Sequence, residues 1–296
     1  METNQTYTLS NGVKIPKVGL GTWEIADEKA AQAVKDAANI GYRHIDTAQG
    51  YGNERGVGEG IRTCETDRNA IFVTTKLDAA IKTYDGTISA IDGSLKTMGL
   101  DYIDLMLIHS PQPWMEFRED NHYFEGNLEV WRAFENAYKA GKLRAIGVSN
   151  FEKIDLENIL SNCSIPPMVN QMLAHIGNMP FELMEYTKSK GLLVEAYSPI
   201  AHGAVLQNEQ VAKMAAKYGA TVPQLCIRYC LQLGLLPLPK TSNPMHMKSN
   251  LQTDFAISDE DMKALNALSF KDYGEASVFP VFGGKLKSDG TYEAKN

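Results

Sequence analysis

Eight short apolar runs, rich in residues that favour strands, recur along this chain, and between each and the next there is room for a crossover helix. The runs are "KVGL", "YRHID", "AIFVTTK", "DLMLIH", "RAIGVSN", "MVNQM", "LLVEAYS" and "LLPLPK". They centre on Val18, Ile45, Val73, Leu107, Ile146, Val169, Val194 and Leu236, spaced between 23 and 42 residues apart. Parallel neighbours need a crossover of a dozen or more residues, usually a helix, so this rhythm predicts a parallel sheet with helices outside it. The segment "DEKAAQAVKDAANIG" illustrates such a helix, with Asp27 as its expected N-cap and Gly41 as its expected stop. No Pro/Gly/Ser-rich linker or break in composition divides the 296 residues. The expectation is therefore an α/β protein forming one domain over 1–296, a single (β/α)8 barrel of the TIM type.

A doubly wound open sheet is the rival. If it bound a dinucleotide, it should carry a Gly-rich phosphate turn after its first strand. Here "GLGTWE" has Gly19 and Gly21 but Glu24 in the third glycine's place, and "GVGEG" follows no strand. Ahead of the barrel, Asn11-Gly12 within 6–16 predicts a β-hairpin, read as an opening flap. Two stretches, 110–127 and 270–296, exceed ordinary connection length. Trp114, Phe117, Tyr123 and Phe124 in the first, and Tyr273, Phe279 and Phe282 in the second, suggest lids over the C-terminal face of the barrel.

A formal net charge of −7 without long runs of like charge argues against nucleic acid or anionic lipid as partners. No apolar run approaches a membrane span, and "METNQTYTLSNG" lacks the pattern of a signal peptide, so the expected location is the cytoplasm. Cys64, Cys163, Cys226 and Cys230 lack metal-knuckle spacing, and Cys226 and Cys230 are expected to share a core face. The six histidines are dispersed and no His-Glu-x-x-His occurs, so no metal is expected.

At the C-terminal ends of barrel strands, polar residues point toward the pocket. Asp46 closes "YRHID", Lys76 closes "AIFVTTK" and His109 closes "DLMLIH", while Tyr51 follows just beyond the first, in "GYRHIDTAQGYGNERGVG". Singly, each has an ordinary structural explanation, such as a turn cap or a satisfied core histidine. Together on one rim they carry a desolvation cost that pairing or function must offset. The set makes a proton donor: an ammonium from Lys76 lowers the reluctance of the Tyr51 phenol, and Asp46 keeps Lys76 charged and aimed. His109 can donate a hydrogen bond that orients a substrate carbonyl. A Schiff-base lyase using Lys76 is the other chemistry open to these residues, but it wants a neutral amine, which Asp46 opposes.

Over nearly its whole length the sequence resembles the aldo-keto reductase family. The matching stretches, in order, are "GLGTW", "RHIDTAQGYGNE", "TTK", "LIH", "GVSNF", "NQM", "AYSP" and "PKTSNP". The resemblance implies a (β/α)8 barrel that uses NAD(P)H without a Rossmann domain to reduce an aldehyde or ketone. In it Asp46, Tyr51, Lys76 and His109 match the catalytic tetrad, with Tyr51 as general acid. Tyr197 matches the aromatic on which the nicotinamide stacks, and Ser149, Asn150 and Gln171 match the residues that bond its carboxamide. Asp46, Thr22 and Ser198 match further cofactor contacts, the last two at the ribose and pyrophosphate. Lys240, Thr241, Ser242, Asn243, His246, Ser249 and Asn250 align with the segment holding the adenosine end.

Three departures from the family pattern shape the finer expectations. His246 stands where NADPH-preferring members usually have an arginine, so NADP(H) is favoured and NAD(H) remains possible. Ser110 and Asp78 stand at usual aromatic wall positions, which suggests a polar pocket and a sugar-like, hydroxylated or keto-acid carbonyl. Trp23 and Trp114 are expected in the pocket wall and Trp131 in ordinary packing. A monomer or weak dimer is expected. The family also contains non-catalytic cofactor-sensing or channel-associated barrels, which is the alternative reading.

Overall fold

The structure, a computed structural model, describes residues 5–294. Its centre is a ring of eight parallel strands: β3 (Leu20–Gly21), β4 (His44–Asp46), β5 (Phe72–Leu77), β6 (Leu105–Ile108), β7 (Ile146–Ser149), β8 (Val169–Leu173), β9 (Leu193–Tyr197) and β10 (Leu236–Leu238). They neighbour one another in chain order, as right-handed crossovers would have it. The ring closes where the Gly19 and Gly21 N–H groups donate to the Pro237 and Pro239 carbonyls, both at 3.1 Å. All eight runs marked out by apolar pattern supply these strands. The six residues of β5, including Lys76, are all buried, as expected of a strand covered on both faces.

Helices wrap the ring. They include α1 (Asp27–Ile40), α2 (Glu54–Thr63), α3 (Tyr84–Met98), α4 (Phe124–Lys139), α5 (Lys153–Asn162), α6 (Phe181–Ser189), α7 (Glu209–Lys217), α8 (Val222–Gln232), α9 (Pro244–Asn250) and α10 (Asp259–Asn266). Trp131 on α4 and Cys226 and Cys230 on α8 are buried in packing, as their helical spacing implied. Gly41 ends α1 at φ 123°, a conformation that β-carbons disfavour. Asp27, however, is not the N-cap of α1; Ala26 holds that position. The Asp27 carboxylate instead accepts from the Gly56 N–H at 2.7 Å and the Arg55 Nε at 2.7 Å, so it serves the first turn of α2. Among the described residues no helix is long and apolar enough to cross a membrane.

The hairpin forms as the Asn-Gly signal predicts, with β1 (Thr6–Thr8) paired antiparallel to β2 (Lys14–Pro16). It sits at the end of the ring remote from the pocket, where an opening flap would serve nothing. The Tyr7 hydroxyl donates to the Leu235 carbonyl and the Asn11 amide to the Arg144 carbonyl, both just ahead of strands, while Ile15 and Leu9 are buried. The hairpin is thus a plug for the N-terminal mouth.

At the other mouth lie the long connections. The first is shorter than expected, because α4 already begins at Phe124. The tail continues through short helical turns at Gly274–Val278 and Pro280–Phe282 into an antiparallel pair, β11 (Lys285–Leu286) and β12 (Tyr292–Glu293). Of the expected stretch 270–296, the last two residues lie outside the described ones, as do residues 1–4. An ion pair of 3.1 Å from Lys285 to Glu119 joins the tail to the 110–127 connection.

Candidate active site

Three strand ends and one turn bring four ionisable side chains to the C-terminal mouth. Asp46 ends β4, Lys76 lies one residue from the end of β5, His109 follows β6, and Tyr51 closes a short helical turn, Gln49–Tyr51. The Lys76 Nζ donates to Asp46 Oδ1 at 2.6 Å, to the Thr47 carbonyl at 2.9 Å and to the Tyr51 hydroxyl at 3.3 Å. All three ammonium hydrogens are therefore committed, one of them to the phenol. The His109 ring meets Tyr51 edge-on at 5.6 Å and packs perpendicular to Trp114 at 4.9 Å.

The rest of the "GYGNE" stretch stands behind these groups and holds the turn in place. Asn53, fully buried, donates to the Thr22 and Ile25 carbonyls at 2.8 and 2.9 Å and accepts from the Thr47 hydroxyl at 2.7 Å. Glu54 accepts from the Thr75 hydroxyl at 2.6 Å and from Ser94 at 3.2 Å. A chain leaving β4 is so tied to the loop after β3, to β5 and to α3, and Tyr51 has little freedom to wander.

Burial and charge set the protonation states. Burial opposes a charge on Lys76, but the neighbouring Asp46 and Tyr51 outweigh it and hold its pKa above the ordinary lysine value. Burial likewise raises the Tyr51 pKa, and the nearby ammonium only partly offsets this. The net direction for the phenol is thus upward, opposite to the reading from the Lys76 charge alone, because desolvation of a phenolate was not visible in the sequence. His109 is held neutral, its pKa well below the usual value through burial and the Lys76 charge, and its Nδ1 is buried without a partner.

Above these groups opens a cavity of about 780 Å³. Of the residues expected at the cofactor and substrate, Asp46, Tyr51, His109, Ser149, Asn150, Gln171, Tyr197, Ser198, Lys240, Thr241, His246, Ser249 and Asn250 line it, with Trp23, Asp78 and Trp114. Asn150 and Ser198 take left-handed backbone conformations, at φ 61° and 48°, directly after β7 and β9. Strain of this kind gathers where side chains are aimed rather than packed. The Tyr197 hydroxyl donates to Asn150 Oδ1 at 2.7 Å, which fixes the ring.

Some expected residues fall outside the lining. Thr22 is buried and donates to the Asp46 carbonyl, and Asn243 caps α9 by accepting from the Met245 N–H. Ser242 is exposed and Lys76 lies beneath the surface of the cavity. Ser110 was expected on the wall but is fully buried. Its carbonyl accepts from Lys82 Nζ and its hydroxyl oxygen from the Gln112 N–H, so it adds no polarity to the pocket. Phe279, expected in a lid, takes part in the wall, as do side chains that sequence reasoning did not single out: Glu24, His202, Leu206, Val281 and Tyr292. Trp23 packs at 4.9 Å on Phe279 and at 5.3 Å on His202, so the tail and the segment after β9 meet at one aromatic rim.

One further residue was missed altogether. Glu195, in the middle of β9, is fully buried, and its Oε2 accepts from Gln171 Nε2 at 2.8 Å while the same nitrogen donates to Asp46 Oδ2 at 2.9 Å. Burial first, and the Asp46 charge second, push its pKa up to about 8. The signal was there to find, since a glutamate interrupts the apolar run "LLVEAYS" two places before Tyr197 and hence on the same face.

Against known proteins, a sequence profile described as the Aldo/keto reductase family matches residues 17–269. The chain is 40% identical over 266 residues to a glyoxal reductase of Bacillus subtilis (strain 168), covering 89% of this chain and 92% of that one. It is 37% identical over 267 residues to a 9,11-endoperoxide prostaglandin H2 reductase of Trypanosoma cruzi, covering 88% and 90%. Among solved structures, an aldo-keto reductase enzyme from a Medee basin deep-sea metagenome library superposes with a TM-score of 0.83 at 40% identity, covering 89% of this chain and 95% of that one. A Bombyx mori aldo-keto reductase in complex with NADP superposes with a TM-score of 0.80 at 33% identity, covering 88% and 91%. With the barrel fold, the family profile and the relatives in agreement, this chain belongs to the aldo/keto reductase family and is an NAD(P)H-dependent oxidoreductase.

Proposed function

We propose that this enzyme reduces a small aldehyde or ketone to the alcohol, with Tyr51 giving the proton to the carbonyl oxygen. The observation that carries this reading is Lys76, whose ammonium, just beneath the cavity, lies between Asp46 at 2.6 Å and the Tyr51 hydroxyl at 3.3 Å. A nicotinamide cofactor fits the residues present. Gln171 spends both amide hydrogens on Asp46 and Glu195, which leaves its carbonyl oxygen as an acceptor on the cavity wall, and Tyr197 offers an aromatic face there. Ser149, Asn150, Gln171 and Tyr197 would hold the nicotinamide end, and Lys240, Thr241, His246, Ser249 and Asn250 the adenosine end. Bound NAD(P)H supplies hydride to the carbonyl carbon.

This chain's own residues do the remainder. Tyr51, like any phenol, keeps its proton at neutral pH, and burial reinforces this, so the acid form is the resting form. As negative charge develops on the substrate oxygen, the proton passes from the Tyr51 hydroxyl, and the Lys76 ammonium compensates the phenolate left behind. Asp46 keeps Lys76 charged, which also disfavours the Schiff-base chemistry that a neutral amine would perform. Neutral His109 orients the carbonyl by a hydrogen bond, and Trp23, Trp114 and the tail exclude water.

Tyr51→Phe is expected to lower kcat by about 10²-fold or more while leaving cofactor binding within about twofold, read by steady-state kinetics and by quenching of tryptophan fluorescence. Turnover retained in that variant would remove Tyr51 from the reaction. For the substrate, the aromatic wall with Asp78, Glu24 and His202 at its rim supports a polar, hydroxylated or keto-acid carbonyl, although Ser110 no longer contributes to that argument. A matched polar and apolar carbonyl pair is expected to differ in kcat/KM in favour of the polar one. For the cofactor, Lys240 and His246 on the adenosine side support NADP(H) with NAD(H) as the weaker choice, and titration with each decides it.

A further inference from the structure

Beneath the proposed acid lies a pair of carboxyl groups that share one hydrogen-bond donor. Gln171 Nε2 reaches Asp46 Oδ2 at 2.9 Å and Glu195 Oε2 at 2.8 Å; Asp46 is nearly buried on the cavity wall, and Glu195 lies behind it, fully buried. Asp46 has the Lys76 ammonium at 2.6 Å, whereas Glu195 Oε1 has no partner. Two buried carboxyls bridged by a neutral amide, with a single cation that contacts only Asp46, do not both stay ionised. The charge belongs to Asp46, which holds the cation, and the proton to Glu195.

Other groups facing Glu195 do not change that assignment. On the flanking strands its register partners are Gln171 on β8 and Leu236 on β10, both uncharged. Across the barrel the charged groups are Asp46 on β4 and Lys76 on β5. His44, two residues before Asp46, is buried and neutral, its pKa pushed down to about 3 by burial and by Lys76.

We propose that Glu195 is a positioning residue that tunes the Tyr51 acid through Gln171, Asp46 and Lys76: neutral while the site works near neutral pH, and a second buried negative charge when it becomes alkaline. Resting on the reading of Tyr51 as the acid, this deepens the proposed function by naming what regulates that acid. At neutral pH the trio of Asp46, Lys76 and Glu195 sums to zero charge. As pH rises Glu195 yields its proton to solvent, the trio becomes negative, and the phenolate form of Tyr51 becomes harder to reach. Tyr51 therefore keeps its proton, and with it the reductive direction, further into the alkaline range than Lys76 and Asp46 alone would permit. The burial that pushes the Glu195 pKa up to about 8 places this second charge where it matters for that limb.

The test compares wild type with Glu195→Gln, which has nearly the same shape and no titration, in kcat/KM for carbonyl reduction from about pH 6 to about pH 10. Near neutral pH the two are expected to agree within about twofold. On the alkaline limb, the half-loss of activity in Glu195→Gln is expected to fall by about 0.5 to 1 pH unit. Superimposable limbs would overturn the proposal, as would a shift upward. Glu195→Leu, neutral likewise, repeats the measurement if the amide variant folds poorly, and a structural role alone would lower stability without moving the limb. A readout independent of turnover keeps this proposal separate from the one on which it rests. Tyrosinate absorbance, with the same protein carrying Tyr51→Phe as its blank, titrates Tyr51 directly in wild type and in Glu195→Gln. A lower Tyr51 pKa in Glu195→Gln supports the coupling even if Tyr51→Phe retains turnover, and an unchanged one refutes it even if the catalytic reading stands.

Discussion

Glu195 shows how much a single buried side chain can change the behaviour of its surroundings. Its pKa lies above the ordinary glutamate value, the reverse of the usual salt-bridged carboxylate, so the sign of its effect on stability is also reversed. Between the ordinary glutamate range and about pH 8 the folded chain keeps a proton on Glu195 that the unfolded chain has released. Stability then falls as pH rises through that window, by up to about 1.4 kcal/mol per pH unit, and levels off above it. Urea unfolding at about pH 5 and about pH 8 checks this: the loss between the two is expected to be smaller in Glu195→Gln than in wild type by a few kcal/mol. Equal losses would mean that Glu195 is ionised throughout. The four residues of the proposed tetrad were accessible from the sequence because each terminates or follows a strand, and strand ends are local features. Gln171 as a bridge, and the upward direction of the Tyr51 pKa, were not, because both depend on how deeply other strands bury these groups.

Between elements, the fit of α2 against α3 is a tight constraint near the site. A β-carbon on Gly58 would lie 2.2 Å from the Met98 carbonyl oxygen and 2.4 Å from its Cα, both backbone atoms that cannot swing aside. Gly58→Ala is therefore expected to push α2 off α3 and to cost about 2–4 kcal/mol, seen as a lower midpoint in thermal unfolding. Because α2 begins at Glu54, directly after the Tyr51 turn, the same variant is expected to lose activity at temperatures where it is still folded. A crossover helix was expected in this gap from the strand spacing, yet the residue that serves its first turn was not, since Asp27 lies 29 positions away from the Gly56 N–H from which it accepts. The hairpin makes the same point. Asn11-Gly12 specified the turn, but nothing local specified which end of the ring it would close.

For the whole molecule, closure of the ring gathers the ends of its strands around one cavity, whose lining draws on β3, β4, β7, β8, β9 and β10 and on the loop after β10. Cofactor binding to the folded state alone is then expected to raise stability by mass action, about 3 kcal/mol at a hundredfold excess over Kd, with the better of NADPH and NADH giving the larger rise in Tm. No rise with either would contradict the proposed cofactor site. The amino-acid order alone was enough to establish the count and succession of strands, the single barrel, and which ionisable residues stand at its C-terminal mouth. Those follow from hydrophobic period and run length, which are properties of neighbouring residues. Folding in three dimensions settled the burial of Ser110 and of Glu195, the contacts of Phe279 and Tyr292 at the aromatic rim, and the partners of Asp27. Each of these rests on desolvation or on a partner from a distant part of the chain, as with Gln171 and Asp46, 125 residues apart, and no local pattern encodes such a distance.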